Sequence, residues 1–444
     1  MKADTLVVGA GTAGLVAALR LAQAGQKVLV VAAGEGCLPL ASGTIDVLGY
    51  APGPVRSPLE ALPGFLDANP EHPYRMAGTA GVARSLGWFE KAAEPLGYRG
   101  DAATNRWVPT VLGGLRPTGL LPATMRAAGL GGDGGAAGPG GHGGAPGPRG
   151  GPEVLVAGIR GFRDFHAGLL AENLSLAAPP GGGSIKARSV ELDWPGSPGD
   201  LVPFRLARRL EDTEVRRHLA AQLRPRLGGA AAVAMPAVLG RDGAAEVLAD
   251  LERRLERPVF EVPGLPPSLP GLRLFDCLRA ALRRAGGRLL LGSTAVSAVC
   301  RDGRVVSVTI TQAARPAEVT AGDYVLATGG FATGGIVREF GGELREPVFG
   351  LPVAQPGSDR EPFGDEYLAE HPMDRAGLRT DPDGRPLGAG GEPFAANLHA
   401  AGAVLAGAVP WREKSGEGLS LTTGLHAAEA ILRSRGAAPA EVAA

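Results

Sequence analysis

The chain has 444 residues, and its 45 basic and 45 acidic side chains give a formal net charge of zero. This length leaves room for two domains, or for one large interrupted domain, with an ample apolar core. The balanced charge provides no basic surface, so nucleic acid is not expected as a partner. No apolar run reaches the roughly 18 residues of a membrane-spanning helix, and the first residues do not resemble a secretion signal.

The three cysteines, Cys37, Cys277 and Cys300, are scattered along the chain. They form no CxxC pair and no Cys/His spacing typical of zinc or of iron–sulfur clusters, so we predict no metal site held by this chain alone. An odd number of cysteines without a disulfide framework favours a reducing cytoplasm.

A glycine-spaced turn near the start is the strongest functional signal in the sequence. Residues 4–8 form an apolar run that predicts a buried strand, residues 15–22 predict a helix, and residues 27–31 predict a second, parallel strand. The turn between the first strand and the helix has the spacing of a dinucleotide-binding loop, with glycines at Gly9, Gly11 and Gly14.

Each of these glycines has a physical role in such a loop. Gly9 permits the tight turn, Gly11 lets the backbone approach a phosphate, and Gly14 lets the helix pack closely on the strand. The N–H groups and the dipole of the helix then face the anion. The sequence therefore predicts a nucleotide cofactor at this turn.

The remaining elements follow in chain order. One segment, residues 127–152, is rich in Gly, Ala and Pro, and we predict a disordered surface insertion there. Strands are predicted at 153–158, 185–192, 230–235, 259–262, 289–291, 296–300, 305–310, 319–327 and 397–403. Helices are predicted at 80–96, 164–173 with Asp164 as its cap, 204–227, 244–255, a segment ending at Gly286, and 419–434.

Two later segments favour a flavin over a nicotinamide cofactor. A three-stranded meander, with a hairpin at Asp302 and Gly303, ends in the small residues Thr328, Gly329 and Gly330. This segment resembles the second cofactor-domain segment of glutathione-reductase-like flavoproteins. Residues 397–403, which include Gly402, resemble the C-terminal segment of those proteins, whose strand points at the flavin ring and whose following helix begins near it.

The resemblance implies an α/β fold with a discontinuous, Rossmann-like flavin-binding domain. Its expected segments are residues 1–48, 271–340 and 385–444. A cap or substrate domain is expected to comprise residues 49–270 and 341–384.

One departure bears on the identity of the flavin. Flavoproteins of this type place an acid at the end of the second strand, where it holds the adenosine ribose. Ala32 and Ala33 occupy the expected positions, and Glu35 is the nearest acid that could substitute. FMN has no adenosine ribose and needs no such acid, so FMN is the expected cofactor and FAD the alternative.

Internal motifs sharpen the resemblance to one family. The run Ser42-Gly43-Thr44-Ile45-Asp46 is similar to the Ser-Gly-Ser-Leu-Asp signature of the family formed by the B-type subunits of anaerobic glycerol-3-phosphate dehydrogenase. Matches to further motifs of that family follow in order at residues 110–118, 158–165, 235–240, 265–268, 329–331 and 345–351. The resemblance runs from residue 1 to about residue 435, apart from the glycine-rich segment.

This resemblance implies the oxidation of sn-glycerol 3-phosphate to dihydroxyacetone phosphate, with electrons passed to quinone. It also implies two partners: an A-type flavoprotein subunit and a C-type iron–sulfur subunit through which the complex attaches peripherally to the cytoplasmic membrane. Two alternatives remain open. One is a stand-alone flavin dehydrogenase of the fumarate-reductase or steroid-dehydrogenase type, and the other is a flavin-bearing docking subunit without catalytic activity.

Candidate site residues follow from these motifs. For the substrate phosphate we expect Arg116 and Arg273, with Arg345 third, because a phosphate dianion needs cations. For the catalytic base we expect His399 or His166, whereas His426 is interpreted as a helix residue without a role in catalysis. The expected cofactor contacts are Gly9, Gly11, Gly14, Ser42, Gly43, Thr44, Thr328, Gly329, Gly330 and Gly402.

The turn before the last helix departs from the family pattern. Family members carry a very glycine-rich turn there, whereas this chain has Lys414 and Glu417. We interpret the change as variation in a loop. The alternative is a changed contact with the flavin or with a partner.

Overall fold

The computed structural model describes residues 1–128, 153–180, 182–195, 201–313, 315–355 and 363–436. The prediction for the glycine-rich segment, residues 127–152, falls almost wholly outside these residues. No helix in the described part of the chain combines the length and the apolar character that crossing a bilayer requires.

The elements alternate between strands and helices along most of the chain. The strands are β1 (Thr5–Val8), β2 (Val28–Ala32), β3 (Arg99–Gly100), β4 (Arg106–Pro109), β5 (Leu115–Thr118), β6 (Leu120–Leu121), β7 (Glu153–Ile159), β8 (Lys186–Leu192), β9 (Ala232–Pro236), β10 (Val259–Val262), β11 (Arg288–Leu291), β12 (Ser293–Arg301), β13 (Arg304–Gln312), β14 (Arg315–Val319), β15 (Asp323–Leu326), β16 (Val337–Arg338), β17 (Leu344–Arg345) and β18 (Leu398–Ala400). The helices are α1 (Thr12–Gln23), α2 (Pro58–Ala68), α3 (Gly78–Ala92), α4 (Ala167–Leu176), α5 (Pro203–Leu210), α6 (Thr213–Leu223), α7 (Ala244–Leu255), α8 (Leu269–Arg284), α9 (Pro410–Glu413) and α10 (Gly416–Ser434).

The described chain divides into two compact units, and the first contains the N-terminal turn. This unit comprises Met1–Leu38, Leu59–Ala93 and Phe275–Ala444. Its main sheet has the strand order β11-β2-β1-β15-β18, and every neighbouring pair is parallel. The strands β1, β2 and β15 are buried along their whole length, which explains their continuous apolar sequences.

A second, antiparallel sheet of the first unit contains the predicted hairpin. Its order is β12-β13-β14, and β12 pairs with β13 through the turn at Asp302 and Gly303. Both turn residues have positive φ angles, 49° and 67°, as a type I′ turn requires. The Asp-Gly signal in the sequence is thus confirmed.

The second unit is built around its own parallel sheet. It comprises Pro39–Pro58 and Glu94–Leu274. The strand order is β10-β9-β7-β8, with all three pairs parallel. Its apolar core includes Leu155, Leu219, Leu251 and Phe260, which are fully buried. The four strands predicted for this region are confirmed within about two residues.

The division of the chain differs from the predicted boundaries. Leu59–Ala93 lies in the first unit because its helix α3 packs against α10, where the Ser85 and Thr422 hydroxyl oxygens are 2.9 Å apart. Residues 341–384 also lie in the first unit, whereas Pro39–Pro58 lies in the second. No local sequence pattern marks these changes of unit.

Several predicted elements are wrong in detail. The predicted helix 204–227 is two helices, because Asp212 leaves the helical conformation and its side chain caps α6 by accepting from the Glu214 N–H at 2.9 Å. Asp164 does not cap α4, which begins at Ala167 with His166 at the N-cap. The predicted strand 319–327 is divided between two sheets, because β14 pairs with β13 and β15 pairs with β1.

Candidate functional site

The first unit contains a cavity of about 580 Å³ at the carboxyl ends of its parallel strands. Gly9 follows β1, Ala33 follows β2, Thr328 follows β15 and Gly402 follows β18, and all four residues line this cavity. In open parallel sheets, ligands bind at this edge. The cavity therefore lies where the fold predicts a cofactor.

The glycine turn forms one wall of the cavity, and its geometry explains the spacing of the glycines. Gly9 has a φ angle of +115°, and a Cβ atom at this position would overlap the Ala327 carbonyl oxygen. A Cβ at Gly14 would overlap the Gly9 carbonyl oxygen. A Cβ at Gly11 would meet nothing within 4 Å, because this residue faces the open cavity.

Donor groups at the cavity fit the phosphates and hydroxyls of a flavin nucleotide. Helix α1 begins at Thr12 with Gly11 as an N-cap that has no side-chain cap, and the first N–H groups of any helix lack partners within it. The hydroxyl oxygens of Ser293 and Thr328 are also buried without a hydrogen-bond partner, and both residues line the cavity. Buried polar atoms of this kind cost stability unless a ligand or water satisfies them.

Two charged residues line the cavity among the described residues. Arg345 is the cation, and its Nε lies 2.9 Å from Oε1 of Glu339. Glu417 is the acid, and its Oε2 accepts a hydrogen bond from the Thr12 hydroxyl at 2.6 Å. Burial raises the pKa of Cys37, another lining residue, and the negative charge of Glu417 adds to the rise.

The end of β2 carries no carboxylate on the cavity wall. Ala32 and Ala33 line the cavity, whereas Glu35, the predicted substitute, does not. The loop after β2 instead crosses the glycine turn, where a Cβ at Gly36 would come within 2.9 Å of the Gly11 Cα.

Other predicted cofactor contacts lie on or beside the same cavity. Gly329 and Gly402 line it, with φ angles of +79° and +80°. Gly330 does not line the cavity, but it lies against the lining residue Ala403. A Cβ atom at Gly330 would come within 2.9 Å of the Ala403 carbonyl oxygen. Residues 293–296 of β12 also line the cavity. Sequence reasoning missed them, because the strand predicted there begins only at Val296 and no cofactor motif marks residues 293–296.

His399 lies on β18 but does not line the cavity. It is 4% exposed, and its Nδ1 has no hydrogen-bond partner in the described structure. Burial lowers the pKa of His399 to about 4, and the charge of Arg385 contributes in the same direction. His399 is therefore neutral at pH 7. The cavity-lining residues that follow β18, Ala401 to Ala403, begin two positions after His399.

The second unit brings together the predicted small-residue loop and one predicted arginine. The Arg116 guanidinium donates to Asp46 at 2.6 Å, to the Ser42 hydroxyl at 2.7 Å and to the Thr44 hydroxyl at 2.5 Å. Gly43 has a φ of +80°, and a Cβ there would overlap Pro270. The motif therefore forms a packed, hydrogen-bonded loop, in which Asp46 balances the charge of Arg116.

Arg273 forms a buried ion pair. Its guanidinium donates to both Glu261 carboxylate oxygens, at 2.7 and 2.9 Å, and to the Gly240 carbonyl oxygen. The side chains of Arg273 and Glu261 are 5% and 0% exposed. Its expected role as a phosphate ligand stays a prediction, and the charge of Glu261 already balances that of Arg273.

Neither His166 nor His426 is among the residues that line the glycine-built cavity. His166 is exposed and borders a shallow depression of the second unit with Phe162, Phe165 and Glu191. His426 lies on α10, and its Nε2 is 2.8 Å from the Pro382 carbonyl oxygen. Burial lowers the pKa of His426.

Comparison with known proteins identifies the family. A family model described as "FAD binding domain" matches residues 4–419. The B-type subunit of the anaerobic glycerol-3-phosphate dehydrogenase of Pectobacterium atrosepticum is 34% identical over 444 residues, covering 98% of this chain and 99% of that protein. The chain belongs to the family of B-type subunits of anaerobic glycerol-3-phosphate dehydrogenase. A probable B-type subunit of this enzyme from Halobacterium salinarum is 36% identical, covering 97% of this chain and 98% of that protein.

Membership of this family confirms the resemblance seen in the sequence, together with the α/β, Rossmann-like flavin-binding fold. The description of the family model supports a flavin cofactor and names FAD, whereas the expectation of FMN is not supported by it. Among solved structures, 3-ketosteroid delta1-dehydrogenase from Sterolibacterium denitrificans aligns with 98% of this chain and 100% of its own, with 14% identity and a TM-score of 0.42. That similarity is too low to bear on function.

Proposed function

We propose that this chain is the B-type flavoprotein subunit of a quinone-linked dehydrogenase that oxidises sn-glycerol 3-phosphate to dihydroxyacetone phosphate. The observation that carries the proposal is the full-length similarity to relatives named as the B-type subunit of that enzyme. The glycine-built cavity supports it, because backbone and hydroxyl donors converge where a flavin nucleotide would bind.

The reaction requires three kinds of group. The substrate loses two electrons and two protons in all: a hydride leaves the carbon that bears the secondary hydroxyl, and the hydroxyl proton goes to a base. A bound flavin supplies the hydride acceptor. The protein must hold the phosphate dianion and position the base.

Arg345 is the best-supported phosphate ligand of the three predicted arginines. It lies on the cavity wall of the first unit, and its partner Glu339 is about half exposed, so a dianion could replace that ion pair at little cost. Arg116 and Arg273 are weaker candidates, because Asp46 and Glu261 already balance their charges.

His399 and His166 remain the candidate bases, and the support for them is unequal. His399 belongs to the strand that leads into the cavity and is neutral at pH 7, but a pKa of about 4 makes it a weak proton acceptor. A base must also come within hydrogen-bond reach of the hydroxyl, directly or through one water. His166 has only its exposure and its place in a family motif in its favour.

The flavin itself is either FAD or FMN. The family model favours FAD, and the alanines at the end of β2 favour FMN because no side chain there can hold an adenosine ribose. Acid release of the cofactor followed by mass measurement distinguishes the two. A released mass matching neither would contradict the assignment of the cavity to a flavin.

We further propose that electrons leave this chain through an A-type flavoprotein subunit and a C-type iron–sulfur subunit. The complex would then lie at the cytoplasmic face of the membrane, attached through these partners. Support comes from the names of the relatives, which describe one subunit of a larger enzyme.

A reconstitution experiment tests the proposal. The chain is expressed alone and with its A-type partner, and oxidation of glycerol 3-phosphate is followed with a dye. We expect activity only in the mixture, and a loss of activity when Gly11→Glu replaces the wild-type chain. Activity of the chain alone would instead indicate a stand-alone dehydrogenase. A mixture that stays fully active with the flavin-free variant would indicate a docking subunit.

A further inference from the structure

Glu417 occupies an unusual electrostatic position in the cavity. It lies in the first turn of α10, which begins at Gly416 and whose N-cap, Ser415, makes no side-chain cap. Its carboxylate also accepts the hydrogen bond from Thr12, the first residue of α1. One acidic side chain therefore lies at the N-terminal ends of the two helices that meet at the cavity.

The two helices are held against each other closely at this place. A Cβ at Gly424 of α10 would overlap the carbonyl oxygen of Ala13 in α1, so the packing leaves no room for a larger residue. The position of Glu417 relative to the glycine turn is thus set by packed backbone as well as by its hydrogen bond.

The charge of Glu417 opposes the potential of these helix ends. The N-terminus of a helix acts as about half a positive charge, which stabilises anions nearby. A carboxylate carries a full negative charge, and no other acid is present among the described residues that line the cavity.

We infer that Glu417 makes the flavin of this chain harder to reduce, by placing a negative charge where the N-terminal end of α10 would otherwise favour the negative charge that reduction adds. This inference rests on the proposed function, because it requires a flavin in the cavity. A lower reduction potential favours the onward transfer of electrons to a partner.

The test is Glu417→Gln in the flavin-loaded chain. Glutamine keeps an oxygen that accepts the Thr12 hydrogen bond and removes the charge. We expect the midpoint potential to rise by about 30 mV, which corresponds to a tenfold change in the equilibrium constant of a two-electron couple. Sulfite, which adds to oxidised flavins and leaves negative charge on the ring, should bind about tenfold more tightly by the same reasoning.

The matched control is Glu429→Gln. This residue lies on the same helix, 12 positions after Glu417 and so about 18 Å along the axis, and it does not line the cavity. We expect the flavin midpoint potential and the sulfite affinity of the Glu429→Gln variant to equal those of the wild-type chain. An equal shift in both variants would indicate a general effect of net charge and overturn the inference.

The remaining outcomes are also decisive. An unchanged potential in Glu417→Gln, or a loss of flavin from that variant, would overturn the inference while leaving the proposed function intact. The second result would mean that the carboxylate holds the cofactor. A wild-type chain that binds no flavin would instead refute the proposed function.

Discussion

Arg273 and Glu261 illustrate how burial decides what a charged residue does. A sequence can show that an arginine lies in a family motif, but it cannot show which acceptors the guanidinium meets after folding. Here both carboxylate oxygens of Glu261 and the Gly240 carbonyl oxygen receive its hydrogen bonds. Glu261 also accepts from the Leu239 N–H at 2.7 Å.

We predict that Arg273→Ala lowers the free energy of unfolding by about 3–5 kcal/mol, because it leaves a buried carboxylate without its partner. Urea denaturation measures this change. The control is Arg224→Ala, which breaks an exposed pair with Glu256 and should have no measurable effect. A stable Arg273→Ala variant with a raised KM for glycerol 3-phosphate would favour the phosphate role instead.

His399 gives a second prediction at this scale. Its pKa is about 4 in the folded chain and near 6.5 when unfolded, so between these values the unfolded chain binds more protons. The stability contributed by neutral His399 is thus present above pH 6.5 and is lost as the pH falls toward 4. Between pH 7.5 and pH 5 the wild-type chain should lose about 2 kcal/mol more than His399→Leu.

Denaturant unfolding of the two proteins at both pH values measures this difference. Contributions from other groups, including His426, are present in both proteins and cancel. Equal losses in the two proteins would show that His399 is not protonated on unfolding in this range, which would contradict its burial as a neutral side chain.

At the scale of elements, the N-terminal unit of strand, turn and helix was predictable because its signals are local. Gly9 needs its positive φ angle, and a Cβ at Gly14 would overlap the Gly9 carbonyl oxygen, so both requirements arise within the turn itself. The hairpin at Asp302 was predictable for the same reason, since its positive φ angles involve only neighbouring residues. The break between α5 and α6 was missed, because the amphipathic pattern continues across Asp212 and only its capping hydrogen bond ends the run.

We predict that Gly14→Ala destabilises the chain by about 1–3 kcal/mol and lowers its flavin content, since the added methyl group overlaps backbone that cannot move aside cheaply. Thermal unfolding and the flavin absorbance measure both effects. Gly64→Ala is the control, because this residue of α2 is exposed and a Cβ there meets nothing within 4 Å. Equal stability and flavin content in the two variants would contradict the packing described for α1.

At the scale of the whole molecule, the sequence showed the family and the type of fold, but not the assignment of segments to units. The first unit gathers three separated segments, and Leu59–Ala93 joins it through contacts with α10, more than 300 residues later in the sequence. Such contacts depend on tertiary packing and leave no local pattern. Residues 293–296 of β12, which line the cavity of the first unit, were missed for the same reason, although the glycine turn that lines the same cavity was predicted.

The binding of a flavin by the glycine-built cavity is the claim on which all others depend. The most direct measurement is the absorbance spectrum and released cofactor mass of the purified chain, compared with Gly11→Glu and with the exposed-helix control Gly64→Glu. We predict bound flavin in the wild-type chain and in Gly64→Glu, and a folded but colourless Gly11→Glu, because its side chain would fill open space where the cofactor lies. A Gly11→Glu variant that keeps its flavin, or a wild-type chain that stays colourless with added FAD and FMN, would contradict the account.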